Sequence, residues 1–78
     1  MVRYNVHYNP AAFLDPRYES TLEALKGMIH GIAPDTIFYL HSARRHHLAV
    51  ELSTAHAETL QDLDGILRVV EDRQFDID

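Results

Sequence analysis

Residues 48–72 read LAVELSTAHAETLQDLDGILRVVED, a strand, a capped helix and a second strand with a boundary signal at each join. Leu48, Val50 and Leu52 alternate with Ala49 and Glu51 at the two-residue period of a half-buried strand. Ser53 or Thr54 then offers a hydroxyl to the open N–H groups of a following turn, which is how helices commonly begin. Ala57, Leu60 and Leu63 can share one face of a short helix, expected over residues 54–63, and Gly65 supplies the left-handed residue that closes it. The apolar run after Gly65 starts a further strand, expected near residues 68–77. A unit this small leaves backbone groups open along its strands, so the rest of the chain must supply partners.

Working outward toward the N-terminus, residues 47–52 form the strand just described, and residues 37–42 form another. The run Ile37-Phe38-Tyr39-Leu40 has β-branched and aromatic character but no clean alternation. Ala43-Arg44-Arg45-His46, polar between two apolar runs, is the expected hairpin turn. Further back, Tyr18, Leu22, Leu25, Ile29 and Ile32 follow the spacing of one helix face, and Asp15-Pro16 reads as N-cap and first helical position. The expected helix spans residues 16–32, with Gly31 and Pro34 ending it. Residues 2–8 carry the cleanest strand signal: Val2, Tyr4, Val6 and Tyr8 on one face, Arg3, Asn5 and His7 on the other. Asn9-Pro10 ends that strand, and Phe13 and Leu14 are expected to tuck against the sheet edge or the helix.

The order is therefore βαββαβ in one domain, residues 1–78. That order predicts an α+β plait of ferredoxin-like topology: a four-stranded antiparallel sheet in the order 4-1-3-2 with both helices on one face. The other face is then open, and it is expected to carry Arg3, Asn5, His7, Tyr39, His41, Ala49 and Glu51. Open, mixed faces on small plaits commonly meet another protein or a second copy of themselves.

Composition narrows the function. Seventy-eight residues make one small domain, and a chain of this size buries only about 60% of its unfolded surface. Twelve acidic against seven basic side chains give a net charge of −5, which opposes contact with phosphate backbones, so no nucleic-acid partner is expected. There is no cysteine, hence no disulfide framework and no thiolate chemistry. No apolar run approaches the roughly 20 residues of a membrane span, and the first residues lack the apolar core of a signal peptide. The expectation is a soluble, cytoplasmic chain that does not contact membranes.

Catalytic patterns are scarce. Only three glycines are present, with no glycine-rich phosphate loop and no Gly-x-Ser-x-Gly elbow. Six histidines are the one chemical excess. His7, His41 and His47 would meet on the open face if all three pointed there, as a zinc site requires, but their spacing is not a ligand signature. They are read as structural or solvated, and Asp62, Asp64, Glu71 and Asp72 as solvated charge. No metal, no cofactor and no enzymatic activity are expected.

His41-Ser42-Ala43, Leu48-Ala49-Val50-Glu51-Leu52, residues 53–63, Gly65-Ile66 and Val70-Glu71-Asp72 together resemble the second half of subtilisin propeptides and their free-standing relatives, the peptidase-inhibitor domains. That resemblance implies an intramolecular chaperone and inhibitor of subtilisin-like serine proteases. It also implies two contact surfaces: the open face, with Tyr39, His41, His47, Ala49 and Glu51, and a tail of Phe75, Asp76, Ile77 and Asp78 lying along the substrate cleft. Leu14-Asp15-Pro16 and residues 69–77, VVEDRQFDI, are similar instead to the small accessory subunit of formylglycinamidine ribonucleotide synthase. This second resemblance implies a non-catalytic subunit of a purine-biosynthesis complex that associates with itself. A self-associating adaptor is the third alternative.

Overall fold

A computed structural model describes residues 1–72. Four strands, β1 (Val2–Tyr8), β2 (Ile37–Ser42), β3 (His47–Leu52) and β4 (Ile66–Glu71), form one antiparallel sheet in the order β2-β3-β1-β4. This is the expected 4-1-3-2 order read from the opposite edge. Two helices, α1 (Thr21–Ile32) and α2 (Thr54–Gln61), complete the α+β plait.

Alternation decides which face of the sheet the helices cover. Tyr4, Val6 and Tyr8 of β1 and Leu48, Val50 and Leu52 of β3 form one buried cluster with Ala24, Leu25 and Ile29 of α1 and Ala57 and Leu60 of α2. Leu25, Ile29, Leu60, Val6 and Val50 are fully buried. Burying a Leu or Ile side chain contributes about 1.5–3 kcal/mol, so each of these residues is a sizeable share of the stability of a domain this small.

The first helix starts later than the Asp15-Pro16 pair suggests. Asp15 is occupied locally: its carboxylate accepts the Arg17 backbone N–H at 2.9 Å and pairs with the Arg17 guanidinium at 2.8 Å, closing a turn rather than opening a helix. The cap is Ser20, whose hydroxyl accepts from the Glu23 N–H at 3.2 Å. Tyr18 consequently lies outside the helix. Its ring rests on Gly27, where a Cβ would come within 2.6 Å of the Tyr18 hydroxyl. Gly31 sits within the last turn, and the helix ends when the Ala33 N–H bonds back to the Ile29 carbonyl just before Pro34. Between β1 and α1, residues Pro10–Phe13 form a 3-10 turn. Phe13 is buried edge-on against Tyr8, whereas Leu14 points out to solvent.

Ser53 caps α2 as expected, accepting from the His56 N–H. The helix is shorter than residues 54–63, because the Asp62 and Leu63 N–H groups bond to carbonyls only three residues back and tighten the chain into a turn. Gly65 follows at φ 89°, a left-handed conformation that side chains resist, and an added Cβ would meet Ala12 at 2.6 Å. That turn sets Ile66 opposite Tyr8, so the last strand begins two residues before the expected position 68. At the outer edge of β4 the Gln61 side chain accepts the Val69 backbone N–H at 2.8 Å. No helix among the described residues is long and apolar enough to cross a membrane.

Candidate functional site

The face away from the helices is built by the alternate residues of each strand. Cross-strand partners share a face, so the register Arg3↔Glu51, Asn5↔Ala49 and His7↔His47 joins β1 to β3 there, and Asn5↔Val70 and His7↔Arg68 adds β4. Ile37, opposite Glu51, brings in β2. Tyr39 belongs to the same face: its hydroxyl donates to the Glu51 carboxylate at 2.8 Å, and the Arg3 guanidinium lies over its ring. Tyr39, His47, Ala49 and Glu51, the residues expected on this surface, are thus brought together. Ala49, however, is only 8% exposed.

His41 corrects the expectation. Between the pairs Phe38↔Val50 and His41↔Leu48, two residues of β2, Tyr39 and Leu40, stand against the single Ala49. One extra residue in a strand reverses the face of everything beyond it. His41 therefore shares its face with Leu48 in the core, where its Nε2 lies 2.6 Å from the Tyr8 hydroxyl. It is no part of the open surface. Phe75, Asp76, Ile77 and Asp78 lie outside the described residues.

The bulge has a second effect, for it places Leu40 on the surface at 83% exposure. In β4 the pairing slips between His7↔Arg68 and Tyr8↔Ile66, which leaves Leu67 unmatched and 65% exposed. With Ile37, Tyr39 and Val70, the sheet carries apolar side chains that water does not favour. Sequence reasoning missed Ile37, Leu40 and Val70 as surface residues. The signal that finds Leu40 was present as the loss of alternation in residues 37–40.

His7 and His47 stack on the open face with ring centroids 5.3 Å apart and planes tilted by 34°. Burial, followed by the charges of Arg68 and His47, holds the His7 imidazole below its ordinary value of 6.5. The His47 Nδ1 is buried with no hydrogen-bond partner among the described residues. With His41 on the far side of the sheet, the three rings do not converge. No group of three or more His, Cys, Asp or Glu side chains among the described residues is placed to hold a metal ion.

What fold and face define together is a small α+β plait with a partly apolar, open sheet surface bearing Arg3, Arg68 and Glu51. Comparison with protein-family models, with characterised proteins and with solved structures finds no match to the chain.

Proposed function

We propose that this chain is a protein-binding module that docks through its open sheet face, as an inhibitor and folding assistant of subtilisin-like serine proteases. The observation that carries the reading is the set of exposed apolar residues on the two border strands of the sheet: Ile37, Tyr39 and Leu40 on β2 and Val70 on β4. Protein interfaces mix apolar and polar side chains, and here Arg3 and Glu51 on the central strands, with Arg68 on β4, stand between the apolar residues of the two borders. In this reading the tail with Phe75, Asp76, Ile77 and Asp78 enters the protease's cleft as a substrate-like strand. The chain is then not an enzyme, takes no cofactor, leaves nucleic acid and membranes alone, and works in the cytoplasm.

Titration of the purified chain against subtilisin-like proteases tests this through residual activity. Inhibition at micromolar concentration or below is expected, lost on removal of the last four residues and weakened by Leu40→Asp. An absence of inhibition in the micromolar range overturns it.

The presence of both charge signs on one face favours a second reading. Arg3 and Arg68 with Glu51 suit a two-fold contact between copies, in which an arginine of one copy meets Glu51 of the other and the reverse. The chain would then be a self-associating adaptor or an accessory subunit of a host enzyme complex. A concentration-dependent dimer in sedimentation, broken by Leu40→Asp and accompanied by no protease inhibition, selects it.

A further inference from the structure

On the opposite side of the sheet, a cleft of about 320 Å³ opens where β1, β2, the hairpin turn and the first turn of α1 meet. Tyr8, His41, His46 and Thr21 line it, with Leu22 and Pro10 as apolar wall. Two properties set this cleft apart. Among the described residues its lining holds no carboxylate, although the chain carries a net charge of −5. Three other surface clefts do contain them: Glu58 and Asp62 in one, Asp15 and Asp64 in the second, Asp15 and Glu19 in the third. Its polar lining, moreover, includes Tyr8, His41, His46 and Thr21, all able to donate, with Tyr8 and His41 joined by a hydrogen bond.

The hydrogen-bond directions follow from the chemistry of the pair. Burial pushes the Tyr8 phenol up from its ordinary 10.0, so it keeps its proton. At neutral pH it donates to Nε2 of an uncharged His41 at 2.6 Å. The ring proton of His41 is thereby assigned to Nδ1, which has no hydrogen-bond partner among the described residues. The Tyr8 ring has two imidazole neighbours, His41 stacked at 6.0 Å and His46 tilted at 6.0 Å. His46 is held there by a left-handed backbone, φ 53°, the one non-glycine residue with positive φ among the described residues. Non-glycine residues in that conformation are uncommon, and histidine is among those that adopt it in turns.

We propose that this cleft binds a small oxyanion, a phosphate or carboxylate group, and that it does so more tightly as the pH falls. When His41 takes a second proton, both ring nitrogens become donors, and the hydrogen bond to Tyr8 reverses so that Nε2–H donates to the phenol oxygen. The Tyr8 O–H is then released to donate elsewhere. A neutral dyad with one spare donor becomes a cation with two, beside the Thr21 hydroxyl and the His46 ring. Charged and titratable groups act on His41 from every side: Tyr8 on β1, Lys26 on α1, His46 in the turn and His47 on β3. Burial and then the positive neighbours oppose its protonation in the empty cleft. A bound anion reverses that balance, so anion binding and proton uptake are linked.

The test is NMR of the His and Tyr side chains during titration with sulfate, which keeps its charge from pH 5 to 8, against sodium chloride at matched ionic strength. Phosphate and acetate form two further arms that assign the natural group to the phosphoryl or the carboxylate class. Saturable shifts of His41, His46 and Tyr8 are expected, with affinity rising by up to about tenfold per pH unit over the range in which His41 gains its proton. His41→Gln should abolish the pH dependence and Tyr8→Phe should weaken binding. His30→Gln, on the outer part of α1, should change neither. If Tyr8→Phe unfolds the chain, the His41→Gln titration still decides. Shifts that never saturate, that match those in chloride, or that persist unchanged in His41→Gln overturn the proposal.

Discussion

The guanidinium carbon of Arg3 lies 3.8 Å from the centre of the Tyr39 ring, while the hydroxyl of that ring donates to Glu51. One aromatic side chain from an edge strand thus bridges a cation on β1 and an anion on β3, and ties three strands together on the open face. Such contacts are worth about 0.5–1 kcal/mol at exposed positions. Their consequence is order in the surface more than stability of the fold.

Two substitutions on this face should separate docking from folding. Leu40 is exposed and packs against little, so Leu40→Asp should change stability by no more than about 0.5 kcal/mol while impairing partner binding or dimer formation. Ala49 is enclosed, so Ala49→Arg should destabilise the fold itself by about 1–3 kcal/mol through overpacking. Urea midpoints measured alongside binding distinguish the two; equal stability losses would contradict the burial of Ala49.

Leu60 anchors α2 in the core with no exposed surface. Leu60→Ala should cost about 2–5 kcal/mol, a large part of the total for a domain of this size. A denaturant melt with an unchanged midpoint would be incompatible with this packing.

The start of α1 offers a contrast between two caps. Ser20→Ala should cost about 1 kcal/mol and speed amide exchange at Glu23, whose N–H it leaves open. Asp15→Ala should leave exchange in the helix unchanged, because Asp15 holds only its own turn with Arg17. Faster exchange through α1 in the Asp15 variant would return the cap to that residue.

Acid should weaken the fold by way of His7 and His41. Burial leads the causes that hold both imidazoles below 6.5 in the folded chain, whereas in the unfolded chain they protonate near 6.5. The unfolded state therefore binds more protons as the pH falls through 6.5, and stability declines until the pH lies below the folded values. Urea midpoints in chloride buffers should fall between pH 7.5 and pH 5, and less steeply in His7→Gln and His41→Gln. A flat profile would sink this account.

Zinc in slight excess should leave the melting temperature unchanged, because the bulge in β2 turns His41 away from His7 and His47. A rise that disappears in His47→Ala would mean that the three rings do meet.

Much of the fold was legible because its signals repeat. Val2 to Tyr8 alternates over a full strand, and Leu25, Ile29 and Leu60 fall where helical periods put the core. The surface was less legible because single residues decide it. Asp15-Pro16 and Ser20 both offer a helix start, and only the Arg17 contacts reveal which one is already engaged. The face of His41 turns on one inserted residue, visible in sequence only as irregularity within residues 37–42. The Tyr8–His41 pair, 33 positions apart, follows from that insertion and from no local pattern.

The hydrogen bond from the Val69 amide to the Gln61 side chain bears on how many copies can join. A sheet whose two edges both accept a neighbour can add strands without limit, and the product is a fibre. Here the central outward amide of β4 is already taken from within the same molecule, while β2 forms the other border. Growth in one direction is obstructed at its first step. Were two copies to pair strand to strand through the remaining border, both growing ends would be consumed, and addition along the sheet would not continue past a pair.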